Sequence, residues 1–201
     1  TNDYLIQLQN IIVGGFTATH PCEERSIYEL ISIKYGSPFK SSMFSDKEGI
    51  DLIRIRDLKT DSPQVKTVEN IPDMEYVNPG DVVVGMDAEF RPHIWAGNKG
   101  LLNQRVCKLI PNHDYSAALA YHFLKDPLFA IESYKTGTTV SHIGKSDFDA
   151  MTVMLPTDSD LRALSNMIEP IYASYVNNGK AIRVLSNLRN ALLDELFESN
   201  K

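Results

Sequence analysis

The sequence predicts a mixed α/β (α+β) body, with a mixed sheet and hairpins, followed by a long C-terminal helix of the coiled-coil type. Three observations carry that expectation. Period-two segments recur at Asp51–Asp57 and Gln104–Ile110, and Val82–Val84 is a short apolar run; such patterns suit strands. An apolar helical pattern runs over Ala117–Leu128, and a seam with steps of three and four runs from Leu161 to Leu196. At 201 residues and 43% hydrophobic content, the chain is long enough for one core with an extension and too short for two large domains.

The elements follow in order. Tyr4, Leu5, Leu8, Ile11 and Ile12 have helical spacing within Asn2–Val13, and Gly14-Gly15 should stop that helix. Phe16–Glu23 reads as a loop, so residues 1–23 are expected to be a short helix and loop, with the main domain over 24–156. In Ser26–Tyr35 the pattern of Ile27, Leu30, Ile31 and Ile33 does not decide between helix and strand, and Gly36-Ser37-Pro38-Phe39 forces a turn. Asp51–Asp57 alternates Leu52, Arg54 and Arg56 against Ile53 and Ile55, which predicts a strand with both arginines on one face. Gly80–Pro111 then reads as a rigid hairpin: a turn at Asn78-Pro79-Gly80-Asp81, a strand, a charged loop over Met86–Asn103, and a second strand. The helix from Ala117 should close at Asp126-Pro127, with Phe129–Tyr134 as another short helix.

Residues 157–201 form the predicted long helix. Thr157–Asp160 resembles a capping arrangement. Beyond it, Leu161, Leu164, Ile168, Ile171, Tyr175, Asn178, Ile182, Leu185, Arg189, Leu192 and Leu196 keep a heptad phase. Pro170 should cost about 3 kcal/mol inside a helix, and Asn177-Asn178-Gly179 could end it, leaving two separate amphipathic helices. One kinked helix is preferred because the phase survives both interruptions. Such a seam wants a second helix, and the polar pair Asn178 and Arg189 would fix register and partner.

Charge and motifs narrow the function. With 20 Lys+Arg against 26 Asp+Glu, net −6, nucleic acid cannot be held by bulk positive charge, so an anionic partner must meet a local patch or be shared with another subunit. Cys22 and Cys107 have no metal-type spacing and read as reduced thiols. The apolar runs are too short to span a bilayer and the first residues lack a basic leader, so the expectation is an intracellular chain with no membrane contact. No phosphate-binding glycine loop, HExxH, GxSxG or CxxC occurs. His20, His93, His113, His122 and His142 never stand three or four apart, so no metal site is expected. Pro79-Gly80-Asp81 followed by Glu89-Phe90-Arg91 loosely resembles a metal-dependent nuclease motif whose last position needs lysine; turn polarity for Asp81 and local pairing for Asp87 and Glu89 explain these residues better. The loop residues Arg91, His93, Asn98, Lys99 and Asn103 have the chemistry that pairs with base edges and phosphates, anchored by Trp95. A solvated loop with Trp95 as a core plug would look the same, and both readings stay open.

Four blocks taken in order are more specific than any one motif. YGSPFKSSMF with GIDLIRIRDL, GDVVVGMDAEF with GLLNQRVCKLIP, GTTVSHIGKSDFDAMTVMLP, and the terminal LSNLRNALLDELF together resemble the specificity subunit of type I restriction-modification systems, from about Ile27 to Phe197. The resemblance implies an α/β target recognition domain followed by a conserved-region helix. It implies that the chain reads one half of a bipartite double-stranded DNA target for methyltransferase and restriction subunits in a prokaryotic cytoplasm. Those subunits would carry the catalysis and hold S-adenosylmethionine, ATP and Mg, with no cofactor on this chain. Full-length members have two recognition domains and two antiparallel helices, whereas this chain has one of each. It is therefore a half-subunit that pairs as a homodimer through its helix, or a fragment whose other half supplied the partner helix, and the helix acts as a ruler between half-sites.

Gly80, Asp81, Asp87, Gly97, Asn103 and Gln104 match the shared motif and, with Trp95, are expected to shape the loop rather than read bases. The contact candidates come from side-chain chemistry: Lys40, Arg54, Arg56, Arg91, His93, Lys99, Lys135, His142 and Lys145. Residues 24–156 hold 15 Lys+Arg and 18 Asp+Glu, net −3, so cooperation with methyltransferase subunits is expected for tight DNA binding. A nuclease using Asp81 and Glu89, and a coiled-coil adaptor without DNA contact, are the alternatives.

Overall fold

The computed structural model describes residues 2–135 and 142–198; residues 137–141 of the third sequence block lie outside the described residues. The first helix, α1 (Asn2–Thr19), runs straight through Gly14 and Gly15, where the sequence predicted a stop. Each glycine costs about 1 kcal/mol relative to alanine in a helix, and packing of Ile6, Ile12, Val13 and Phe16 on the core outweighs it. Thr17 and Thr19 also back-bond to the carbonyls of Val13 and Gly15, four residues earlier. Pro21 supplies the stop.

Strand β1 (Cys22–Ser26) follows directly, so Glu24 lies inside a strand and not at a loop boundary. β1 pairs antiparallel with β11 (Thr152–Pro156), the segment that leads into the last helix. The undecided stretch becomes a 3-10 turn at Ile27–Glu29 and then β2 (Ile31–Tyr35). The short strands β3 (Phe44–Ser45), β4 (Ile50–Ile53), β5 (Lys66–Thr67) and β6 (Tyr76–Val77) come next. The predicted strand over Asp51–Asp57 is only half right, because Ile55–Asp57 is a 3-10 turn and Arg54 and Arg56 share no strand face. The buried Asp57 carboxylate causes this by accepting from the Arg54 N–H at 3.0 Å, which curls the chain back.

Strand β7 (Val82–Gly85) and strand β10 (Val106–Pro111) pair as read from sequence. The intervening loop adds β8 (Pro92–Ile94) and β9 (Gly100–Leu102). Two sheets result besides the β1–β11 ribbon. One is antiparallel in the order β2-β10-β7-β8, and the other is mixed in the order β3-β5-β4-β9-β6 with β4 and β9 parallel. Both faces of β7 are buried: Val82 and Val84 join the main core with Leu109, Leu119, Leu124 and Ile168, while Val83 joins Ile53, Trp95, Leu102 and Val106. Period-two packing on two cores explains why all three valines are fully covered.

The helix α2 (Ala117–Lys135) is one element and not two, with Pro127 inside it. Leu124 and Leu128 are both fully buried on either side of the proline, so core packing overrides the lost helical hydrogen bond. After the short α3 (Lys145–Asp149), the helix α4 (Asp158–Glu198) runs 41 residues through Pro170 and Gly179, about 60 Å. Thr157 accepts from the Asp160 N–H at its start. The mixed α+β body with a long C-terminal helix is therefore the fold the sequence predicted.

The seam differs from the prediction. Leu161, Leu164 and Ile168 are buried in the body, and the buried series continues through Tyr172 and Val176 rather than Ile171 and Tyr175. Ile171 and Tyr175 are half-buried and Asn178 is exposed. The first half of α4 is thus a core helix with α1 beside it, tied by the Asn2 side chain to the Tyr175 carbonyl. Beyond it Ile182, Leu185, Leu192 and Leu196 are exposed, at 50–64%. Arg189 hydrogen-bonds its neighbour Asn190. No helix among the described residues is long and apolar enough to cross a membrane.

Candidate functional site

A cleft of about 680 Å³ opens where three loops converge. The 3-10 turn after β4 brings Arg54, Ile55, Arg56 and, just past it, Lys59; the β7–β8 hairpin brings Asp87, Ala88 and Glu89; the β9–β10 turn brings Asn103 and Arg105. Four cations thus meet two carboxylates in a chain of net charge −6. Each loop is fixed by the sheets beneath it, which is how a polar surface keeps its geometry before any ligand arrives.

The cleft is built from local chemistry. Asp57 accepts from both the backbone N–H and Nε of Arg54, at 3.0 and 3.3 Å, and this turn projects Arg56 into solvent. Arg56 has no hydrogen-bond or ion-pair partner among the described residues. Across the cleft, Arg105 Nη1 bonds Asp87 Oδ2 at 2.7 Å, and Lys59 lies 3.4 Å from Glu89. Asp87 Oδ1 also holds His142 Nδ1 at 2.7 Å, while the Ile143 N–H donates to the Met86 carbonyl at 2.9 Å. Ala88 sits between the two carboxylates at φ +67°, a left-handed conformation that costs a β-carbon residue about 1–2 kcal/mol.

The other contact candidates lie elsewhere. Lys40 caps a 3-10 turn, with its ammonium exposed and 4.0 Å from Glu69. Arg91 ties β8 to α2 through Glu132 at 2.8 Å and lies over the Phe129 ring; hydrogen bonding from Arg91 holds the Glu132 carboxyl below its usual range. His93 Nε2 is 2.8 Å from Asp61, and Lys99 covers the Tyr76 ring at 4.4 Å. Lys135 donates to the His142 carbonyl and to Asp147, and Lys145 pairs with Asp149 along α3. Of the nine candidates, Arg54 and Arg56 line the cleft and His142 reaches its edge through Asp87.

Residues of the shared motif surround this site. Gly80, at φ +97°, donates to the Trp95 carbonyl and accepts from the Tyr172 hydroxyl, which joins the hairpin to α4. Asp81 accepts from the Asn78 N–H and lies 3.6 Å from the buried Lys108 ammonium. Trp95 is fully buried and donates to the Asn98 carbonyl, so it is the core plug. At Gly97 a β-carbon would stand 2.0 Å from the Trp95 ring. Asn103 accepts from the Arg105 N–H, and the Gln104 N–H donates to the Ser37 carbonyl.

Sequence reasoning missed Lys59 and Arg105. Arg105 belongs to the GLLNQRVCKLIP block, but its pairing with Asp87 depends on strand register. Lys59 faces Glu89 across 30 positions of sequence, a separation no period reveals. The nuclease alternative is disfavoured by geometry: Asp81 and Glu89 flank opposite ends of β7, and four strand residues alone separate them by about 13 Å. Among the described residues no three His, Cys, Asp or Glu side chains cluster as metal ligands.

Residues 20–181 match the family described as the type I restriction modification DNA specificity domain. The chain is 33% identical over 201 residues to the type I restriction enzyme EcoBI specificity subunit of Escherichia coli, covering 96% of this chain and 42% of that protein. It is 25% identical to the MjaIX specificity subunit of Methanocaldococcus jannaschii over 52% of this chain and 22% of that protein. The chain thus spans less than half the length of these curated relatives. In fold it is similar to the type I S subunit from M. genitalium (TM-score 0.60, 16% identity, 91% of this chain and 47% of that one). It is likewise similar to the HsdS subunit from Thermoanaerobacter tengcongensis (TM-score 0.55, 17% identity, 96% and 51%).

Proposed function

The chain belongs to the type I restriction-modification DNA specificity family, and from that premise we propose that it recognises one half of a bipartite double-stranded DNA target through the cleft between β4, the β7–β8 hairpin and the β9–β10 turn. The observation that carries this reading is the convergence of Arg54, Arg56, Lys59 and Arg105 on one cleft of an acidic chain. Guanidinium groups suit this task because their fork fits phosphate and the O6/N7 edge of guanine. Arg56 is the principal contact. It is exposed, it comes from a turn pinned by the buried Asp57, and it has no ion-pair partner to surrender among the described residues.

On this reading the chain is not itself an enzyme. Methyl transfer and cleavage belong to methyltransferase and restriction subunits, which would hold S-adenosylmethionine, ATP and Mg. The exposed apolar half of α4 pairs with a second helix, from another copy or another half-subunit, and so sets the distance between two recognition domains. The net charge makes binding weak without the methyltransferase subunit and stronger with it.

The test is titration of duplex DNA with the chain, alone and with its methyltransferase subunit, across a range of salt. Arg56→Ala should weaken binding by about tenfold and reduce the magnitude of the log-log salt slope by about one if the contact is to phosphate. A chain that binds no duplex in either condition would favour an adaptor without DNA contact.

A further inference from the structure

The cationic cleft is already occupied by the protein's own anions. Arg105 holds Asp87 at 2.7 Å and Lys59 stands 3.4 Å from Glu89, on either side of Ala88 at φ +67°. Asp87 is locked from a second direction by His142 Nδ1 at 2.7 Å, and its side chain is only 18% exposed. Glu89 is held loosely, by one exposed ammonium, and its side chain is 56% exposed.

These pairings affect different duplexes differently. A duplex that offers only phosphates must displace a carboxylate to reach Lys59 or Arg105 and then lie against two anions. A target sequence adds base edges, and a carboxylate accepts hydrogen bonds from the exocyclic amino group of cytosine. Phosphate is therefore penalised beside Lys59 and Arg105, whereas an amino group at the right step compensates.

Resting on the reading of the cleft as a DNA site, we propose that the Asp87–Ala88–Glu89 tip is an anionic filter. Asp87 keeps Arg105 positioned and shielded, and Glu89 repels non-specific backbone and accepts from a base amino group in the target. The left-handed Ala88 turns the chain at this tip, between the two carboxylates that engage the cations. Specificity here comes partly from an element that disfavours the wrong partner.

The experiment measures affinity for a pool of random duplexes, and sequences the bound fraction, for the wild-type chain with its methyltransferase subunit and for two variants. Glu89→Ala should tighten random-duplex binding about fivefold at low salt, the scale of one removed charge near a phosphate in water. The selected sequences should lose one position at which the wild type demands an amino-bearing base. Asp87→Asn, which retains an acceptor for Arg105, should tighten random binding while leaving that position intact. Unchanged or weaker random-duplex binding in both variants, with folding verified by circular dichroism, overturns the filter. An unaltered selected sequence in Glu89→Ala overturns the base contact. If the wild-type chain binds no duplex with or without the methyltransferase subunit, the recognition reading itself falls, whereas binding that ignores both variants removes only the filter.

Discussion

His122 shows how a single side chain couples burial to pH. It is largely enclosed between α1 and α2, its Nε2 is 2.9 Å from Gln9 Oε1, and burial lowers its pKa to about 4 with help from Lys125. A neutral histidine must therefore be the folded form, with Nε2 carrying the proton toward Gln9. Below its unfolded pKa of about 6.5 the unfolded chain takes up the proton and the folded chain does not, so stability falls as pH drops from about 6.5 to about 4. The wild type should lose roughly 2–3 kcal/mol across that window, and His122→Gln should be much less sensitive. Thermal melts at pH 7 and pH 4.5 compare the two. Glu132 works in the same direction: Arg91 depresses its pKa, and its contribution is present above the ordinary carboxylate range and lost as pH falls through the depressed value. Neither partner was visible in sequence, because Gln9 and His122 stand 113 positions apart and Arg91 and Glu132 stand 41 apart.

At the scale of elements, period and punctuation competed with packing. The strands β7 and β10 and the single helix α4 were legible because their apolar patterns persist over a whole element. Gly14-Gly15, Pro127 and the alternation at Asp51–Asp57 misled because each is a local signal that buried contacts override. Ile12, Leu128 and Asp57 supply those contacts respectively. Pro170 tests the same competition in α4. It is exposed, interrupts the backbone ladder, and has the Ser174 hydroxyl donating to its carbonyl at 2.8 Å. Pro170→Ala should restore one helical hydrogen bond and stabilise the chain by up to about 3 kcal/mol, read as a higher unfolding midpoint with unchanged circular dichroism shape. A lower midpoint would mean that the proline is needed to seat Ile168 and Tyr172 in the core.

For the whole molecule, α4 is two things in series. Its first half closes the body with α1 and α2; its second half stays beside the body through the Arg183 bond to Asn98 and then carries an exposed apolar stripe, Leu188 and Phe197 included. Self-association through that stripe should appear as concentration-dependent mass in light scattering. Leu185→Asp with Leu192→Asp should abolish it while leaving the thermal stability of the body within about 0.5 kcal/mol, as for exposed positions. A monomer at all concentrations in the wild type would remove homodimerisation and leave pairing with a different half-subunit as the use of this face.

Composition, periodicity and block order by themselves determined the α+β class, the length of α4, the acidic net charge and the family resemblance. These properties belong to the chain as written, summed over windows of ten residues or more. The cleft was decided only by tertiary structure. It is made of Arg56, Lys59, Glu89 and Arg105, drawn from three loops whose approach depends on sheet register and on a buried carboxylate at Asp57. The same limit applies to the seam. Heptad spacing states that a helix has an apolar side, but whether Leu161 or Leu192 faces a core or solvent depends on where the body ends, and that is fixed by contacts between residues far apart in sequence.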